Sequence, residues 1–405
     1  MVMDLFWKEV SNSVILTADY LITGDGVTVI EQGGVRIEGD KILEVGPAAQ
    51  LIAAHPEQEV QAHPGCTLMP GMIDLHNHLA YIYGRAETPD FEKYPAMQGF
   101  FVAQRMEDTL RAGVTTIRDV ASPNYMGVAV IKGRRYGFLK APRVFTAGNG
   151  ICMTGGHGSG LDGSVMECDG EWEVRKAVRT NAREGANCIK ILTSHGYRGL
   201  EMSQEEINAA VDEAHRLGLR VASHAGYDPS IQMSIDGGCD TIEHGTHLTI
   251  AQAQQMKAHD QTWVPTIYVF DYCYQLYTEM GLTSANEIYR YLEEANACYR
   301  DNFKALYDTG VRVACGTDTD CCDHPKATPV WVECDYMVRY GITPLQAIEC
   351  ATKNGAEALG MGDRLGQLKA DYIADVIAVQ GKPHEDVKAL EHVSAVYQEG
   401  KRVEL

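Results

Sequence analysis

With 405 residues, 45% of them hydrophobic and 22% charged, the chain is large enough for one sizeable barrel or two domains, and its composition fits no disordered class. A formal charge of −20 and a pI near 5.1 argue against nucleic acid and anionic membrane surfaces as partners, because both present the same sign of charge. The acid excess speaks mainly for solubility.

The opening residues, MVMDLFWKEVSNSVILTADYL, carry early acids and lack a basic leader followed by an uninterrupted apolar stretch, so they do not read as a signal peptide. No run of about 18 apolar residues occurs anywhere, which disfavours a membrane span. Twelve cysteines without CxxC spacing, several within apolar strands (Cys188, Cys315), read as reduced core thiols, and the cytoplasm is the expected compartment.

In chain order, residues 1–69 read as short β segments. Val35, Ile37, Ile42 and Val45 alternate between Gly-Asp and Gly-Pro breaks, a hairpin texture. The same texture returns over 366–405, in ADYIADVIAVQGK and HVSAVYQEGKRVEL. Two β-rich ends predict one small β-sandwich domain built from 1–69 and 366–405, with a larger domain over 70–365 between them.

In that middle stretch the pattern changes to strand, loop, helix. Apolar strands are expected at 72–79, 114–120, 143–148, 187–192, 220–225, 241–245, 262–268 and 311–318. The clearest helix between them is SQEEINAAVDEAHRLG, where Ser203 and Glu206 have capping-box spacing. Its residues Ile207, Val211, Ala214 and Leu217 recur at helical spacing, and Gly218 ends it. Eight strands alternating with helices predict an α/β fold, a (β/α)8 TIM barrel of about 250 residues or more.

A barrel assembles its active site at the C-terminal ends of its strands. His76 and His78 end the first strand, and as residues i and i+2 they point to one face. Lys190 lies near the end of the fourth strand, His224 of the fifth, His244 of the sixth and Asp318 of the eighth. Taken singly, each has an ordinary reading: a hydrogen-bonded core histidine for His224 or His244, a helix N-cap for Asp318, a lysine reaching solvent at the barrel mouth for Lys190. Taken together they make a metal-capable rim of histidines, a lysine and an aspartate without cysteine, suited to zinc or another borderline divalent ion. A bare ammonium among metal ions would be costly, so Lys190 is either neutral or carboxylated by CO2. Asp318 at the rim can accept the proton of a water whose pKa metal coordination has lowered, and relay it to the leaving group.

These segments, PGMIDLHNH, GVTTIRDV, APRVFTAGNGICMTGGHG, NCIKIL, SHAG, TIEHGT and GTD, resemble the metal-dependent amidohydrolase superfamily over nearly the whole chain. Within it they are similar to the branch of imidazolonepropionase-related and Xaa-Pro dipeptidase (prolidase)-like proteins. The resemblance implies that His76, His78 and Asp318 hold one ion, that His224 and His244 hold the other, and that carboxylated Lys190 bridges the two. It makes His157 in TGGHG a substrate contact that polarises the scissile carbonyl or its oxyanion, and it implies a homo-oligomer. Tyr227, His195, Arg198 and Tyr268 are further candidate substrate contacts, Arg198 because its fork matches a carboxylate. The expected activity is hydrolysis of an amide or peptide bond by a metal-bridging hydroxide, with an Xaa-Pro dipeptide or N-acyl amino acid as substrate. A cyclic amide, carbamate or urea is the alternative substrate, and a catalytically silent scaffold the remote one.

Overall fold

The computed structural model describes residues 13–80, 94–160, 163–195, 199–318 and 329–404. Its strands fall into a mixed sheet fed by both ends of the chain and into parallel sheets fed by the middle. The mixed sheet contains β1 (Val14–Ile22), β2 (Val29–Glu31), β3 (Gly33–Glu38), β4 (Lys41–Pro47) and β5 (Glu59–Pro70). The parallel strands are β6 (Met72–Asn77), β7 (Val114–Asp119), β8 (Arg143–Thr146), β9 (Gly150–Cys152), β10 (Val165–Glu167) and β11 (Cys188–Leu192). After the short hairpin β12 (Ser194–His195) and β13 (Gly199–Leu200) they continue as β14 (Arg220–Ala225), β15 (Thr241–His244), β16 (Thr262–Val264) and β17 (Arg312–Val313). The mixed sheet is then completed by β18 (Val376–Gln380), β19 (Val393–Gln398) and β20 (Lys401–Arg402).

The mixed sheet runs β20-β19-β18-β5-β1-β3-β4, with β2 also on β1. Alternation builds its core: Leu16, Val35, Ile37, Ile42, Leu68 and Val376 pack together, fully or almost fully buried. β1 runs parallel to β5, Leu21 opposite Leu68, while β18 runs antiparallel to β5, Val376 opposite Pro70. The two ends of the chain thus share one strand as their seam.

The parallel strands form β6-β7-β8 and β10-β9-β11-β14-β15-β16-β17. Backbone hydrogen bonds join these sheets at both sides. Asn187 N–H donates to Thr146 O at 3.0 Å beside β8, Leu75 N–H to Cys315 O at 3.0 Å, and Asp318 N–H to His76 O at 2.8 Å beside β6. Gly316 permits that last approach, because a Cβ there would stand 2.8 Å from the His76 Cβ. Helices connect the strands, so the class is α/β with parallel sheets.

The helix Gln204–Arg216 has its capping box, with Ser203 Oγ accepting from Glu206 N–H and Glu206 accepting from Ser203 N–H. Ile207, Val211 and Ala214 are buried along it, but Leu217 is 45% exposed, because the helix has ended and Leu217 is the C-cap. The expected strand over 262–268 is shorter too. Pro265 has no N–H for a ladder, Thr266 adopts φ 53°, and a helix starts at Ile267. The buried Glu333 carboxylate accepts from the N–H groups of Ile267 and Tyr268, at 2.7 and 2.8 Å, and so starts that helix. Likewise the strand expected over 311–318 is limited to Arg312–Val313, and the segment beyond it leaves the ladder to reach β6. The described cysteines are unbridged, and most are buried. No helix among the described residues is long and apolar enough to cross a membrane.

Candidate active site

Parallel register sets the candidate residues side by side. On β11 and β14, Lys190 is level with Ala222 and Leu192 with His224; on β14 and β15, Ala225 is level with His244. His76 comes from β6, His78 follows it, and Asp318 arrives through its backbone bond to His76. His244 and Asp318 both have left-handed backbone, φ 65° and 50°, which turns the chain at the strand ends.

Each of three imidazoles is fixed through its Nδ1. His76 Nδ1 lies 2.8 Å from Glu243 Oε2, and Glu243 Oε1 accepts from the Arg118 guanidinium at 2.6 Å. Arg118 in turn donates to Leu75 O at 2.6 Å and to Thr241 Oγ1 at 2.9 Å. His78 Nδ1 lies 2.7 Å from Ala121 O, a pure acceptor, so the proton resides on Nδ1 and the lone pair on Nε2. His244 Nδ1 meets Thr266 Oγ1 at 2.8 Å. With Nδ1 occupied, the Nε2 atoms of His76 and His78 approach Asp318 Oδ1 at 3.8 and 3.5 Å. One ligand atom from each of these three residues lies within 4.8 Å of the other two.

The remaining rings continue the cluster. His244 has its centroid 4.8 Å from His76 and 4.5 Å from His224, and His157 stacks on His224 at 4.3 Å with His195 edge-on to it at 4.8 Å. Together with Lys190, only 2% exposed, they line one cavity of about 300 Å³.

Burial controls the protonation of this cluster. It pushes His76, His224 and His244 well below the ordinary imidazole value, His78 to about 4 and His157 to about 3, so all five are neutral at pH 7. Neutral imidazoles carry the lone pair that a cation needs. His224 Nε2 is buried with no hydrogen-bond partner among the described residues, an arrangement that costs free energy unless something electrophilic sits there. Fixed tautomers, neutral nitrogens and a carboxylate within 4.8 Å fit a divalent ion, which His76, His78 and Asp318 could hold.

All six residues expected as ligands line this cavity, as do His157 and His195. Tyr227 and Tyr268 do not. Tyr227 stacks on His247 at 4.3 Å and donates to Glu294 at 3.3 Å, while Tyr268 belongs to the first turn of the helix Ile267–Glu279 and packs on Tyr272 and Tyr336. Arg198 lies outside the described residues. Sequence reasoning missed Glu243 and Arg118, although a signal is present: each is a charge inside a short strand, and opposite charges on two such strands imply a buried pair.

A family model described as the amidohydrolase family matches residues 67–403. The chain belongs to the amidohydrolase family. A second model, the imidazolonepropionase-like composite domain of bacteria, matches residues 33–57. The chain is 29% identical to ochratoxinase from Aspergillus niger, covering 94% of this chain and 84% of the relative. It is 25% identical to imidazolonepropionase from Deinococcus radiodurans, covering 89% and 88%. Among solved structures, an Xaa-Pro dipeptidase with bound methionine in the active site superposes with a TM-score of 0.88 at 29% identity, covering 97% of this chain and 100% of that one. The A. niger ochratoxinase structure superposes at 0.85 with 27% identity, covering 96% and 95%. This amidohydrolase is therefore a hydrolase of carbon–nitrogen bonds that acts on small molecules, and its family is typically metal-dependent.

Proposed function

We propose that the two parallel sheets form one (β/α)8 barrel over 70–365, that residues 1–69 and 366–405 form a β-sandwich domain, and that the barrel carries a binuclear metal centre. The bonds Asn187 to Thr146 and Asp318 to His76 support the barrel, since they join the sheets at both sides. In this reading His76, His78 and Asp318 would hold one zinc ion, His224 and His244 would hold a second, and Lys190, carboxylated on Nζ, would supply a shared anionic ligand. When bound, the ions supply Lewis acidity and make water a stronger nucleophile.

The chain's own groups do the rest. Asp318 accepts the proton of the attacking water and returns it to the leaving nitrogen. His157, neutral because burial holds it at about 3, donates a ring N–H to the oxygen that gains charge. Its backbone N–H is anchored to Glu201 at 2.7 Å, which fixes the glycine-rich loop over the cavity. The substrate is an Xaa-Pro dipeptide or an N-acyl amino acid, a reading supported by the likeness to the Xaa-Pro dipeptidase along that protein's whole length. The cysteines among the described residues, unbridged and mostly buried, support the reading of a reducing, cytoplasmic compartment.

The observation that carries the reading is the convergence of six side chains from distant segments on one cavity. Its test is Lys190→Met, purified with zinc and bicarbonate. Bound zinc is expected to fall from about two ions per chain to below about one, and turnover by about a hundredfold or more. Undiminished zinc and turnover in the variant would refute the bridge. Cleavage of lactams or carbamates, with Xaa-Pro dipeptides and N-acyl amino acids untouched, would refute the substrate.

A further inference from the structure

The cavity lining is of two chemical kinds. Beside the histidines, Lys190 and Asp318 it has an apolar wall made by the helices Ile267–Glu279 and Glu287–Asp308, chiefly Phe270, Ile288, Tyr291 and Leu292. Phe270 begins this wall directly beside the histidines, its ring edge-on to His244 at 5.6 Å, and Tyr291 meets Phe270 edge-on at 5.8 Å. The Tyr291 hydroxyl is occupied elsewhere. It bonds to Thr246 and lies over Gly226, where a Cβ would stand 2.7 Å from it, so the ring is what remains for the cavity.

Size and charge then limit what fits. Phe270, Tyr291 and Leu292 are at most 8% exposed, yet they border a space of about 300 Å³. An apolar cavity of about 150 Å³ already holds benzene, so this one has room for a ring together with an amide group. Among the described lining residues, Lys190 and Asp318 are the formal charges, and both stand beside the histidines. A charged group pushed against the apolar wall would be buried without a partner, whereas an apolar group there leaves water.

We infer that the scissile amide carries a ring-sized apolar group next to the bond that breaks, and that Phe270, Tyr291 and Leu292 select it. This rests on the amide-hydrolase reading above and narrows it from acyl amino acids and dipeptides in general to those with an aromatic or similarly bulky substituent.

The test compares uncleavable ligands and matched substrates on the zinc-loaded protein. Benzylphosphonate is expected to bind at least tenfold tighter than methylphosphonate, and Phe270→Leu and Tyr291→Leu to shrink that ratio, with thermal melts checking that both variants fold. Ile288→Trp, which fills space at the apolar wall from a partly exposed position, should weaken benzylphosphonate more than methylphosphonate. N-benzoyl amino acids should show a kcat/KM at least tenfold above their N-acetyl counterparts. No difference between the two phosphonates, including failure of both to bind, overturns the inference. A benzyl preference without turnover of any amide upholds the wall and overturns the hydrolytic reading instead.

Discussion

The interior of the mixed sheet is chiefly Leu16, Val35, Ile37, Ile42, Leu68 and Val376, with Thr67, Tyr372 and Tyr397 as hydroxyl exceptions. The parallel strands bury Asp74, His76, Arg118, Asp119, Lys190, Glu243 and His244 at 3% exposure or less. Apolar side chains alone would make either interior cohesive, so the polar set needs another reason. Several of its members have assigned hydrogen bonds: Arg118 to Glu243 and Glu243 to His76 within the set, and Asp74 to Thr317 at 2.7 Å and Asp119 to Ser122 and Thr146 at 2.6 Å with neighbouring hydroxyls. Two sheets of one chain thus show what polar burial signifies. Where burial serves cohesion the residues are mostly hydrocarbon, and where it serves chemistry they are polar and ionisable groups.

The sharpest way to break this contrast is Arg118→Leu. It leaves the Glu243 carboxylate, 0% exposed, without its counter-charge and should cost about 3–5 kcal/mol in urea unfolding. Adding Glu243→Leu to Arg118→Leu should recover part of that loss, since an apolar pair replaces a broken ionic one; a double variant weaker than the single would contradict the pairing. On the cohesive side, Leu16→Ala should cost about 2–5 kcal/mol through the cavity it leaves, with turnover per folded molecule retained.

A smaller effect sits at the periphery, between the helices Glu171–Glu184 and Gln204–Arg216. Hydrogen bonds from Arg179 and Arg216 hold the Glu213 carboxyl at about 2, outweighing the upward push of burial. A carboxyl depressed in this way stabilises the fold above its unfolded pKa, and the contribution fades as pH falls through the folded value. The Tm gap between wild type and Glu213→Gln should therefore be full at pH 7 and close between pH 4.5 and about 2. A gap that stays constant over that window would show that the ion pairs contribute nothing.

The six side chains proposed as ligands, which line one cavity, were legible in sequence as a group because each is an anomaly: a histidine, lysine or aspartate at the end of an apolar run. His76 and His78 have the i and i+2 spacing that shares a face in a strand, a signal that points to a metal only in company with the candidates further along the chain, and the strand itself ends at Asn77. The apolar wall was not legible. Phe270, Tyr291 and Leu292 look like any helix core, and only the fold reveals that the surface they cover is a cavity. Tyr227 and Tyr268 show the converse. Proximity in sequence to His224 and to β16 suggested a place at the rim, but the turn at Thr266 and the stacking on His247 draw both rings away. The left-handed turns at His244 and Asp318 had no signal, because neither residue is glycine.

The seam at β5 has a consequence for synthesis. β5 pairs with β1 on one side and with β18 on the other, about three hundred residues downstream. While the ribosome is still translating the parallel strands, residues 59–70 present a bare row of amides and carbonyls, an adhesive edge, until 376–380 emerge to cover it. A nascent chain stalled before that point would already carry the six cavity residues proposed as ligands together with an open sheet, and chaperones should recognise it by that edge.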